Sequence, residues 1–245
     1  MSSTLALEEC PADYTISESG PEVETKVDAR ARRPRLRIVG LASITVTFLA
    51  ASAAPTPLYA TYQKAWGFSD LMITVVFGIY ALAFLAALLT VGRLSDHIGR
   101  RPVLIAGIVG QIVALVVFVD AHSLTALVVA RLVQGLAAGS AIGAIGAGML
   151  DIDQARGAVA NATAPGLGTA SGVLISSFAV QWLPAPTRLV YLALIGLLLV
   201  QALGVTVIPE TSPRAPGARR SLIPKIAVPS QTRRPMLSAA PVLFA

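Results

Sequence analysis

From residue 38 onward the chain reads as long apolar runs broken by short polar segments. The runs cover residues 38–60, 71–91, 103–119, 124–150, 159–183 and 189–208. Most reach the ~20 residues that a helix needs to cross a hydrocarbon core about 30 Å thick. They are continuously apolar, without the period-two alternation of a transmembrane barrel strand. Backbone polar groups in lipid must be satisfied within their own segment, so each run predicts a helix. The short connections predict antiparallel neighbours. The expected fold is therefore all-α, a polytopic membrane bundle of six transmembrane helices over residues 38–208. Outside it the pattern changes. Residues 1–37 are polar and acidic before a cluster of arginines, and too few of them are large and apolar to drive packing, which predicts a disordered tail. Residues 209–235 are rich in Pro, Arg and Ser, as expected of a linker. The apolar stretch 236–245 is too short to span and is read as the start of a truncated seventh helix.

Composition agrees with the pattern: 55% of residues are hydrophobic and 13% charged, outside the range of ordinary soluble domains. The net charge of +6 would suit nucleic acid, but its distribution suits a membrane better. With the amino terminus inside, sixteen of the nineteen Lys and Arg residues fall on the cytoplasmic side, against Lys64 and Arg188 outside and Arg131 within a span. The positive-inside bias predicts both termini in the cytoplasm of a cell-membrane protein, and no nucleic-acid partner. Pro55 and Pro57 predict a kink near the end of the first span. Tyr59, Tyr62, Trp66 and Trp182 fall near span ends, where interfacial aromatics are expected. The single cysteine, Cys10, excludes an intrachain disulfide. No metal-ligand cluster, phosphate-binding loop or nucleophile–His–acid set is present, so neither an enzyme nor a cofactor or metal site is expected.

The most informative polar segment is 92–102, Gly-Arg-Leu-Ser-Asp-His-Ile-Gly-Arg-Arg-Pro. Gly92 and Gly99 offer permissive backbone at a sharp turn, and Asp96 is placed to pair with Arg100 or Arg101. The spacing of Gly92, Asp96, Gly99, Arg100 and Arg101 resembles the signature loop between the second and third helices of the major facilitator superfamily of transporters. The resemblance runs from about residue 38 to 245 and corresponds to one six-helix half of that fold. It implies that these five residues form a latch between halves that stabilises the outward-facing state.

Arg131 lies inside the fourth run. An ionisable side chain at membrane depth usually faces a bundle interior or aqueous cavity; the alternative is a side chain snorkelling to the nearer interface. The sequence Arg131-Leu-Val-Gln134-Gly135 resembles a second motif of the same family, on its fourth helix, and that likeness implies a role for Arg131 and Gln134 in proton coupling and transport. Gly135, Gly139 and Gly143 share one helical face, and Gly168 and Gly172 recur similarly in the fifth run; small residues there permit close helix packing. Polar residues for a central cavity would come from Thr45, Thr56, Tyr59, Tyr80, Gln111, Gln134, Ser176, Ser177, Gln181 and Gln201. Each can equally bond a neighbouring helix.

The resemblance implies a secondary active transporter, proton-coupled, for a small organic solute or drug, working by alternating access. One bundle supplies one wall of the cavity, so the expected partners are the lipid bilayer, substrate, protons and a second six-helix half. The alternatives are a non-transporting membrane scaffold that uses its glycine faces for assembly, or a non-functional transporter fragment.

Overall fold

A computed structural model describes the backbone of residues 21–207 and the side chains of residues 34–91 and 98–206. The described residues form seven helices: α1 Pro21–Ala53, α2 Pro55–Trp66, α3 Asp70–Ile98, α4 Arg100–Val119, α5 Leu124–Ile152, α6 Gln154–Trp182 and α7 Pro186–Val207. Together α1 and α2 supply one span, Pro34–Trp66, so six helices are long and apolar enough to cross a membrane. The break falls at Ala54, where the expected kink lies. Pro55 and Pro57 have no N–H to give to the carbonyls of Ala51 and Ala53, and the α2 segment restarts with proline at its first position.

Two boundaries differ from expectation. The helix begins at Pro21, not at residue 38, so the backbone over 21–37 is helical where a disordered tail is expected; residues 1–20 lie outside the described part. Pro21 suits a first helical position, and Glu, Lys, Ala and Arg are good helix formers that extend an already nucleated membrane helix at little cost. The expected linker and seventh-helix start, 209–245, also lie outside the described residues. The second difference concerns the charged segment. It is not an open loop, because α3 continues through Ile98 and α4 starts at Arg100. The whole reversal is made at Gly99, with φ 106°, while Gly92 is helical and its backbone is not needed for the turn. A side chain at Gly99 would be strained at that φ.

The connection between α5 and α6 is equally brief, with Asp153 alone between them. Its carboxylate caps α6 by accepting from the N–H of Arg156 at 3.0 Å. At the opposite end of the bundle the connections run to three or four residues: 67–69, 120–123 and 183–185.

The α5 helix is apolar on every side and lies at the centre, packed against α3, α4, α1 and α6. Glycine makes this possible. A Cβ built at Gly135 would stand 2.6 Å from the Tyr80 carbonyl oxygen, and one at Gly139 2.3 Å from that of Phe84, so α5 and α3 meet backbone to backbone. Gly168 and Gly172 do the same for α6 on α1, against the carbonyls of Val46 and Ala50 at 2.6 and 2.3 Å. Gly143 is half-buried on the α5 face shared with Gly135 and Gly139. Gly107, not singled out from the sequence, lets α4 approach Ala141 of α5. Leu82 and Leu85 of α3, Leu174 and Phe178 of α6, and Val200 and Leu203 of α7 point outward, as a lipid-facing perimeter requires.

Candidate functional site

The missing N–H of Pro55 leaves the Ala51 carbonyl without its helical donor, inside an apolar bundle where an unpaired carbonyl is costly. The bond comes from α5. Gln134 donates its Nε2 to the Ala51 oxygen at 3.0 Å. One turn away, Arg131 Nη1 donates to the Ser52 carbonyl at 2.8 Å and to Gln134 Oε1 at 2.7 Å, and Arg131 Nε donates to the Tyr59 hydroxyl at 2.5 Å. Residues 131 and 134 share one face of α5, so the pair grips both sides of the break in the first span. One side is the end of α1; the other, through Tyr59, is α2.

Arg131 and Gln134 are wholly buried. Snorkelling is therefore not what Arg131 does. Its guanidinium carbon sits 5.1–5.7 Å from the ring centres of Tyr59, Phe77, Tyr80 and Phe118, contributed by α2, α3 and α4. Aromatic faces stabilise a desolvated cation by about 2 kcal/mol at a good contact. No carboxylate shares the site among the described residues: Asp70, Asp120, Asp151 and Asp153 all stand at helix ends. Arg131 Nη2 has no partner among the described residues. The arrangement is thus a fixed positive charge at membrane depth, held by two carbonyl or amide oxygens, one phenol and a ring cage.

A second cluster lies where α4 and α6 begin. Arg100 Nη2 pairs with Asp151 near the end of α5 at 2.9 Å, with the Arg100 side chain largely buried. Arg101 Nη2 donates to the Thr206 carbonyl in the last turn of α7, where a cation also meets the negative end of the helix dipole. The two arginines beside Gly99 therefore fasten α4 to α5 and α7. The side chains of Gly92 through His97 lie outside the described residues, so the expected pairing of Asp96 with these arginines does too. Asp151 is a partner that sequence spacing did not single out.

The structure brings Arg131, Gln134 and Tyr59 together and separates them from Gly99, Arg100 and Arg101 along α5, near whose opposite end Arg100 pairs with Asp151. Tyr59, expected near the interface or facing a central cavity, is buried against Arg131. Gln111, Ser176 and Thr45, candidates for a central cavity, are enclosed in the bundle core, whereas Thr56, Ser177 and Gln181 are exposed. Phe77 and Phe118 went unnoticed in the sequence, and Tyr80, a candidate for the central cavity, stands instead in the ring cage around Arg131. The i, i+3 spacing of Phe77 and Tyr80 puts both on one helical face, which is the available signal.

Known proteins share this sequence pattern. Multidrug resistance protein MdtL of Klebsiella pneumoniae subsp. pneumoniae is 28% identical over 153 residues, covering 61% of this chain and 39% of that protein. A triacylglyceride transporter of Mycolicibacterium smegmatis is 29% identical over 190 residues, 64% of this chain and 34% of its own. Multidrug resistance protein D of Escherichia coli is 39% identical over 64 residues, 26% of this chain and 16% of its own. The chain thus spans well under half the length of these relatives. The family model described as Major Facilitator Superfamily matches residues 40–245. That match covers most of a chain whose described residues hold six helices long and apolar enough to cross a membrane, and the chain belongs to the Major Facilitator Superfamily.

Proposed function

We propose that this chain is one six-helix half of a proton-coupled transporter for a small organic solute or drug, and that Arg131 is its coupling residue. The observation that carries the proposal is the bonding of a wholly buried Arg131, with no carboxylate beside it among the described residues, across the break of the first span. A segmented helix is a common way to build a transport pathway. A cation fixed at the break ties that helix's bend to the local field. A carboxylate brought near it by a companion half is favoured in its deprotonated form, and its approach and withdrawal would be linked to proton release and uptake. Asp96, Arg100 and Arg101 form the latch in this reading, with the Gly99 turn and both termini in the cytoplasm of a plasma or inner membrane.

The names of the relatives point to drugs or lipids as substrates. The scaffold alternative is less well supported. Gly135, Gly139, Gly168 and Gly172 pack against helices of the same bundle, so these faces are not free for assembly with another protein.

The test is transport in proteoliposomes holding this chain with six further helices of the same family as companion half. Arg131→Met is expected to retain downhill substrate exchange while losing accumulation driven by a proton gradient; Arg131→Lys retains part of both. Undiminished proton-driven accumulation by Arg131→Met, in protein shown to be folded, overturns the assignment.

A further inference from the structure

At the end of the bundle away from Gly99, α2 leans on α6 and leaves a cavity of about 240 Å³ against α4 and α7. Its floor is aromatic. Tyr62 stacks on Trp66 with ring centres 5.0 Å apart, Phe118 stacks on Tyr191 at 5.1 Å, and the Tyr62 and Tyr191 hydroxyls are 3.5 Å apart. Its rim is polar and basic, with Thr61, Thr187, His122 and Arg188. Asp120 lies 3.4 Å from His122, and no ion pair engages Arg188 among the described residues.

Flat apolar walls beneath a guanidinium and hydroxyl donors suit a ligand with a planar ring and one anionic end. The volume falls below the ~300 Å³ at which drug-sized sites begin, which limits the occupant to about one ring. We propose that this cavity is an accessory site for a small aromatic carboxylate, its ring against Tyr62, Trp66 and Phe118 and its carboxylate on Arg188. The site is distinct from the Arg131 cluster but touches it. Phe118 lines the cavity and also stands 5.7 Å from the Arg131 guanidinium. An occupant would brace α2 against α7 and so bear on the bend that Arg131 holds.

Trp66 and Trp182 are the two tryptophans of the chain, and Trp182 is exposed on α6, so Trp182→Phe leaves Trp66 as a reporter inside the cavity. Titrating the purified, detergent-solubilised Trp182→Phe protein with benzoate should change Trp66 fluorescence saturably. Arg188→Gln, which removes the charge-assisted bond, should weaken binding about tenfold; benzyl alcohol, the same ring without the charge, should bind the unaltered site about tenfold more weakly as well. Ala65→Leu, which fills the cavity from its rim, should abolish the saturable signal. A linear response, a benzoate titration unchanged by Arg188→Gln, equal binding of benzyl alcohol, or a saturable response in a Trp66→Phe protein overturns the proposal.

Discussion

A methyl group at Gly172 is the most discriminating single perturbation of this bundle. An added Cβ would stand 2.3 Å from the Ala50 carbonyl oxygen, 2.6 Å from its Cα and 2.8 Å from its carbonyl carbon, all of them backbone atoms that cannot rotate aside. Relief to an ordinary 3.4 Å contact requires α6 to move off α1 by about 1 Å, a gap that forfeits roughly a quarter to a half of the dispersion energy of each contact along the seam. Overpacking of this kind costs about 1–3 kcal/mol, and a contact made wholly with backbone belongs at the upper end. Gly166, six residues earlier on the same helix, has nothing within 4 Å of the same position. There alanine brings only its helix propensity, a gain of up to about 1 kcal/mol. Gly172→Ala and Gly166→Ala should therefore differ by about 2–3 kcal/mol, or about 5–10 °C in Tm for a chain of this size. Thermal unfolding of the two detergent-solubilised variants, followed by tryptophan fluorescence, measures the difference. If both unfold within about 1 °C of each other, the α1–α6 seam is not backbone-limited and the reasoning fails.

Three further expectations use the same unfolding measurement. Gln111 is wholly buried with neither amide atom partnered among the described residues, so Gln111→Leu should stabilise the protein by about 1–3 kcal/mol; destabilisation would mean that the amide has a partner after all. Pro55→Ala restores a donor for the Ala51 carbonyl, so Gln134→Leu should cost about 1 kcal/mol less in the Pro55→Ala background than alone, whereas additive effects would break the link between proline and glutamine. Asp151→Asn removes a charge partner of largely buried Arg100 and should cost about 0.5–1 kcal/mol, less in high salt; no loss at low salt would leave that pair without a structural role.

The elements were legible because membrane helices announce themselves by length: five of the six expected runs fall within single helices apart from a residue or two at their ends, and the first is divided where Pro55 and Pro57 stand. The charged segment was harder to read. Gly, Asp and Arg look like a loop, yet in this segment only Gly99 leaves the helical conformation, since one glycine at positive φ reverses the chain and the rest can stay coiled. The Arg131 site was half legible. A buried arginine and its neighbour Gln134 stand out in an apolar run, but their acceptors are main-chain carbonyls of α1, which carry no residue-type signature. The aromatic cage draws on three helices whose relative rotation no single run encodes, so Tyr59 read as interfacial or cavity-facing.

The lengths of the connections give the bundle a mechanical polarity. At one end α3 joins α4 through Gly99, and α5 joins α6 through Asp153, each a single residue; at the other, every connection has three or four. Two dihedrals per joint leave helices almost no freedom to slide or spread where they are so tightly hinged, and the arginine bonds of that end stiffen it further. The longer connections leave more freedom at the far end, where α2 follows the break at Ala54. The bundle is jointed like tongs: a tightly tied heel at the arginines, and longer joints at the tips.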